Sequence, residues 1–176
     1  PANGCAISET PATGAEWPMD TGDGTSFVDL APSASATDRP VRVAFQHDEP
    51  SGPEIWINDS NQRVPQTYKV IDGSEPALTL DGQKLAYVSR DGDIYVTVPG
   101  EAVPAGIRVA ANVGQPRRLA WSPDGQYIAY ATSDSVQRVS AAGGASAPEI
   151  LVATGGAPSY LYGWDNALFP VSTWTS

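Results

Sequence analysis

Apolar residues along the chain come in short runs, and several of these alternate with polar residues at a period of two. That spacing predicts β-strands and not helices. The runs read as strands at Phe27 to Leu30, Val41 to Gln46, Glu54 to Asn58 and Thr67 to Ile71, then Ala77 to Leu80, Lys84 to Ser89, Ile94 to Val98 and Ile107 to Ala110. They continue at Arg118 to Trp121, Tyr127 to Ala131, Val136 to Val139 and Glu149 to Val152. Turn residues punctuate them: Asp81-Gly82, Arg90-Asp91-Gly92-Asp93, Ser122-Pro123-Asp124-Gly125 and Ala142-Gly143-Gly144. Asp-Gly between apolar runs is a strong hairpin signal, and proline at the second position with glycine at the last suits a tight turn.

The strands recur as a unit. The Asp-Gly-Gln triplets beginning at Asp81 and Asp124 lie 43 residues apart, as do Ala86-Tyr87 and Ala129-Tyr130. Ala44-Phe45 precedes Ala86-Tyr87 by 42 residues, and Trp164 follows Trp121 by 43. A repeat of this length with four short strands per unit is the signature of propeller blades. The expected fold is therefore an all-β β-propeller, about three four-stranded blades plus part of a fourth. The blades are expected at 24–72, 73–114, 115–156 and, in part, 157–176, after an N-terminal segment over 1–23. In each of the first three units a small residue stands beside an aromatic one: Ala44-Phe45, Ala86-Tyr87 and Ala129-Tyr130. The small residue lets inner strands converge, and Phe45, Tyr87 and Tyr130 are expected to pack between blades. Trp121 and Trp164, at equivalent positions, are assigned to the same core.

Leu119-Ala120-Trp121-Ser122-Pro123-Asp124-Gly125-Gln126-Tyr127-Ile128-Ala129-Tyr130 resembles the repeat of TolB-type propellers, which reads W-S-P-D-G and then I-A-[FY]. Ile94-Tyr95-Val96 resembles the strand that follows in that family. The second unit lacks the Trp-Ser-Pro, the first lacks the Asp-Gly turn, and the fourth has a shortened hairpin. The resemblance implies the fold over about residues 24 to 172. The family includes periplasmic TolB, the propellers of prolyl-oligopeptidase-like peptidases and many exported bacterial proteins, so fold alone does not imply one function.

Composition narrows the functional field. Net charge is −10 with a pI near 4.3, which repels phosphate backbones and excludes nucleic acid as an expected partner. No apolar run reaches the length of a membrane helix. The single cysteine, Cys5, cannot form an internal disulfide and leaves the redox compartment open. Pro1 stands where a methionine would start a chain, and a cleaved export signal is one explanation. There is no G-x-S-x-G elbow, and His47 is the only histidine. His47, beside Asp48 and Glu49, is read as an exposed loop residue at a strand end. One cysteine and one histidine do not make a usual zinc set. Asp20 to Gly24 and Asp91-Gly92-Asp93 could offer oxygens to a structural calcium, although the EF-hand pattern is missing and turn chemistry explains them. Trp17, Trp56 and Trp174 are outside the repeat core and are the expected partner or ligand contacts.

The expected function is therefore non-enzymatic: an extracytoplasmic propeller acting as an interaction or scaffold module, with no catalytic residue, cofactor or metal assigned. The alternatives are a lectin-like ligand-binding propeller and the propeller part of a longer enzyme. Three and a half blades leave open sheet edges, so a protein partner, another copy or a further part of the same polypeptide is expected to cover them. The segment over 1–23 is expected to clasp a blade edge, with Trp17 as its anchor.

Overall fold

The computed structural model describes residues 42–59, 66–100, 106–144 and 147–153, together with the backbone of three strands further upstream. Among the described residues there are fourteen strands and no helix. The upstream strands are β1 (Ser8–Glu9), β2 (Trp17–Pro18) and β3 (Phe27–Pro32), and β1 pairs with β2 in a two-stranded sheet. The first large sheet runs in the order β3, β4 (Arg42–Glu49), β5 (Gly52–Asp59), β6 (Gln66–Asp72). The second contains β7 (Ser74–Leu78), β8 (Leu85–Val88), β9 (Ile94–Thr97) and β10 (Ile107–Ala110). The third contains β11 (Arg117–Trp121), β12 (Tyr127–Ala131), β13 (Ser135–Ser140) and β14 (Glu149–Ala153). Every pair of neighbours is an antiparallel meander. The expected fourth unit over 157–176, with Trp164, and the side chains of the N-terminal segment lie outside the described residues.

The three sheets pack face to face in chain order. The first strands of the sheets, β3, β7 and β11, are neighbours, so the sheets fan out from a common inner edge. One core joins the first and second sheets: Ala44, Ile55, Ile57 and Val70 meet Leu78, Leu85 and Tyr87. A second core joins the second and third: Ala86, Ile94, Val96 and Val109 meet Trp121, Ile128, Tyr130 and Val139. Strand alternation produces both at once. On β8, Leu85 and Tyr87 face the first sheet while Ala86 faces the third. Tyr87 and Tyr130 thus pack between sheets as the repeat predicts. Burial pushes the Tyr130 hydroxyl pKa up to about 12.

Hydrogen bonds cross the same seams. The Trp121 indole N–H donates to Ala77 O at 2.9 Å, across buried space between the third and second sheets. Each inner strand carries a register shift, at Val28/Leu30, Ser74/Ala77 and Arg117/Ala120. At the second and third bulges Glu75 and Arg118 take positive φ, 53° and 54°. A bulge takes its backbone N–H out of the ladder. Here a side chain from the preceding part of the fan accepts it: Gln46 Oε1 binds Glu75 N at 3.2 Å, and Glu75 Oε2 binds Arg118 N at 2.6 Å. Arg42 adds a further strap, donating to Asp59 on its own sheet and to Gly82 O on the next.

The repeated turn is reproduced atom for atom. Ser122 Oγ donates to Asp124 Oδ1 at 2.6 Å, and Asp124 Oδ1 accepts Gln126 N at 3.0 Å. Thr79, Asp81 and Gln83 make the same two bonds at the same distances. Threonine therefore replaces serine without loss, because the turn needs only a hydroxyl there. Strand β7 consequently ends at Leu78, and Leu80, expected within it, is 63% exposed on the turn. Val98, expected at the end of β9, also lies beyond its strand.

Gly125 closes the turn at φ +66°, with open space where a Cβ would go. The strain of Gly125→Val is therefore purely backbone, about 2 kcal/mol. Thermal melting should show that loss, and an unchanged midpoint would contradict the turn.

Candidate functional site

In the second and third sheets, the face bearing Tyr87 and Tyr130 packs on the preceding sheet. The equivalent face of the first sheet bears Phe45. Register places two cross-strand rows on it: Phe45 opposite Trp56 opposite Lys69, and His47 opposite Glu54 opposite Asp72. The positions equivalent to Trp56 are Tyr95, stacked on Tyr87 with centroids 5.7 Å apart, and Gln137, which accepts from the Tyr130 hydroxyl. This face too is covered in part, since Phe45 and His47 are buried, while the side chains of Trp56, Lys69 and Asp72 keep solvent exposure.

The row is tightly connected. Lys69 bridges Glu54 and Asp72, with 2.8 Å to the latter, and Arg90, from the β8–β9 turn, reaches Asp72 at 3.1 Å. The Trp56 indole N–H donates to Glu54 Oε2 at 3.1 Å, and its ring meets His47 edge-on at 6.1 Å. Glu54 is therefore held from two sides. Its hydrogen bond from Lys69 is the main reason its carboxyl titrates below the usual value. Asp72 is lowered chiefly by Lys69 as well, and Lys69 is raised chiefly by Asp72 and then Glu54.

His47 departs from the sequence expectation. It lies within β4, not in an exposed loop, and is 5% exposed. The strand runs on through Glu49 and turns at Pro50-Ser51. Its Nδ1 stands 3.3 Å from Glu49 Oε1. Of the expected contact residues, Trp56 is partly buried at the centre of this face. Trp17 has a described backbone only, in β2, and Trp174 lies outside the described residues. The Asp91-Gly92-Asp93 turn is held by protein groups: Asp93 Oδ1 accepts Asn112 N and Oδ2 pairs with Arg108. Trp121 is core, as its repeat position implies.

Acid should weaken this molecule through identifiable carboxyls. Glu54, Asp72, Asp81 and Asp124 all have folded values below their ordinary ones. Hydroxyl hydrogen bonds from Thr79 and Ser122 are the leading causes for Asp81 and Asp124. A lowered folded pKa contributes stability above the unfolded value, which is lost as pH falls through the folded value. The melting temperature should therefore drop from about pH 5 downwards. The double variant Asp81→Asn with Asp124→Asn should flatten that profile while lowering its neutral-pH plateau. An equally steep acid limb in the variant would contradict the assignment.

Three sheets of four antiparallel strands, stacked in chain order from a shared inner edge, define a propeller-like architecture. Among solved structures the chain is similar to TolB from Acinetobacter baumannii, with a TM-score of 0.54 and 22% identity. The match covers 81% of this chain and 36% of the TolB chain, so the chain spans about a third of the structure it matches. No family model and no curated protein matches. The likeness establishes the fold. Among the described residues no helix is long and apolar enough to cross a membrane.

Proposed function

We propose that the chain is a non-catalytic, extracytoplasmic propeller module that acts by holding another protein. The observation that carries this reading is the composition of the first sheet's leading face. The equivalent faces of the other sheets are spent on packing. Here a tryptophan is fixed by Glu54 and stands opposite Lys69, which with Asp72 and Arg90 forms a linked charged cluster whose side chains remain 41–48% exposed. An immobilised aromatic centre with a charged rim is the usual make-up of a protein-binding hot spot. The acidic chain favours a partner with a basic surface. Export is supported by the resemblance of the Trp121 repeat to families of exported proteins.

Affinity capture from the host's envelope fraction should retain a discrete protein on the wild type and lose it on Trp56→Ala. The purified captured protein should then bind directly, with the same dependence on Trp56. A glycan array that lights up for the wild type and not for Trp56→Ala would replace this reading with a lectin-like one.

A further inference from the structure

The geometry points to a zinc-binding site formed by His47, Glu49 and Glu54, which we propose as a new metal site of this chain. Strand geometry assembles it. His47 and Glu49 are two apart on β4 and share a face, and Glu54 stands directly across from His47 on β5. One ligand atom from each residue lies within 4.8 Å of the other two. The His47 Nδ1 to Glu49 Oε1 separation is 3.3 Å. Two ligands held about 2.0–2.2 Å from zinc at a tetrahedral angle stand roughly 3.4 Å apart, so this pair is already at chelating distance. Glu54 needs only a side-chain adjustment to join them.

The donor set selects the ion. One imidazole and two carboxylates suit zinc, whereas calcium and magnesium take all-oxygen shells. The imidazole is buried and the Glu49 side chain is 35% exposed, so water could reach a bound ion from the Glu49 side. The Trp56 indole supplies an outer hydrogen bond that holds Glu54 through Oε2. Lys69 is the competitor, since its ammonium now occupies Oε1. It keeps Asp72 at 2.8 Å when Glu54 turns to the metal, so metal entry leaves no unpaired ammonium.

This inference is independent of what binds at Trp56. The test is isothermal titration of the EDTA-treated full chain with zinc chloride, beside NMR of the imidazole. His47 is the sole histidine, so its ring resonances report the site without assignment ambiguity. One equivalent of zinc is expected to bind and to shift those resonances. His47→Ala and the partly exposed Glu49→Gln should each weaken binding about tenfold or more. Lys69→Met should strengthen it, an effect that loss of folding cannot imitate. Absence of zinc binding, or binding that leaves the His47 resonances unmoved and ignores Glu49→Gln and Lys69→Met, would overturn the proposal.

Discussion

Tyr130→Ala should cost about 3–5 kcal/mol, the range for deleting a fully enclosed aromatic side chain. Tyr130 has no solvent exposure and lies in the core between the second and third sheets. Its hydroxyl donates to Gln137 Oε1 at 3.0 Å, so truncation also strands a partner at the seam. Tyr127, three residues earlier, is the control. It is only partly buried, beneath the Arg138 guanidinium at 4.6 Å. Tyr127→Ala should cost about 1 kcal/mol. Chemical denaturation of both variants checks the difference, and near-equal losses would place Tyr130 outside any inter-sheet core.

Gly73→Ala should be comparably severe for the opposite reason. Gly73 joins the first sheet to the second between β6 and β7, and its N–H donates to Pro53 O at 3.0 Å. A Cβ there would stand 2.7 Å from Val88 O and 2.9 Å from Tyr87 Cδ2. Val88 O is backbone, so the two sheets must move apart to admit a methyl. The expected loss is about 3 kcal/mol, at the upper end for overpacking. Gly100→Ala, with nothing among the described residues within 4 Å of the added carbon, should be nearly neutral. Matched denaturation curves for the two variants would contradict the close approach of the sheets.

The repeat made much of this fold legible. Asp81-Gly82 and Asp124-Gly125 mark equivalent hairpins because each turn needs a carboxylate for its N–H and a glycine at positive φ. Ala86-Tyr87 and Ala129-Tyr130 mark equivalent strands because alternation sends the two residues to opposite faces. Trp121 was placed in the core by its spacing alone, although its bond to Ala77 O depends on a neighbouring sheet that local sequence does not specify. The bulges at Glu75 and Arg118 left no signal, since glycine is the residue that announces positive φ and neither position carries it.

The candidate site was less legible. Counting cysteine and histidine finds one of each and stops there. The carboxylates that complete the cluster come from β4 and the facing strand, and only register brings Glu54 opposite His47. His47-Asp48-Glu49 was the available cue, because residues two apart share a face once the strand extends through them. The apolar alternation stops at Gln46, whereas the strand runs to Glu49. Trp56 stands out in the sequence as a tryptophan outside the repeat core, but its equivalence to Tyr95 and Gln137 emerges only from pairing with Phe45.

On the proposed reading, the face used for packing in the second and third sheets serves a partner in the first around Trp56. A photo-crosslinking residue placed at position 56 and, separately, at its equivalent position 95 tests it most directly, in cells of the host. Position 95 should yield only an adduct within the chain, to the first sheet near Tyr68 or Ile71, because Tyr95 packs on that core. Position 56 should yield a discrete adduct to a second protein. Intermolecular adducts at 95, or none at 56, would contradict the account.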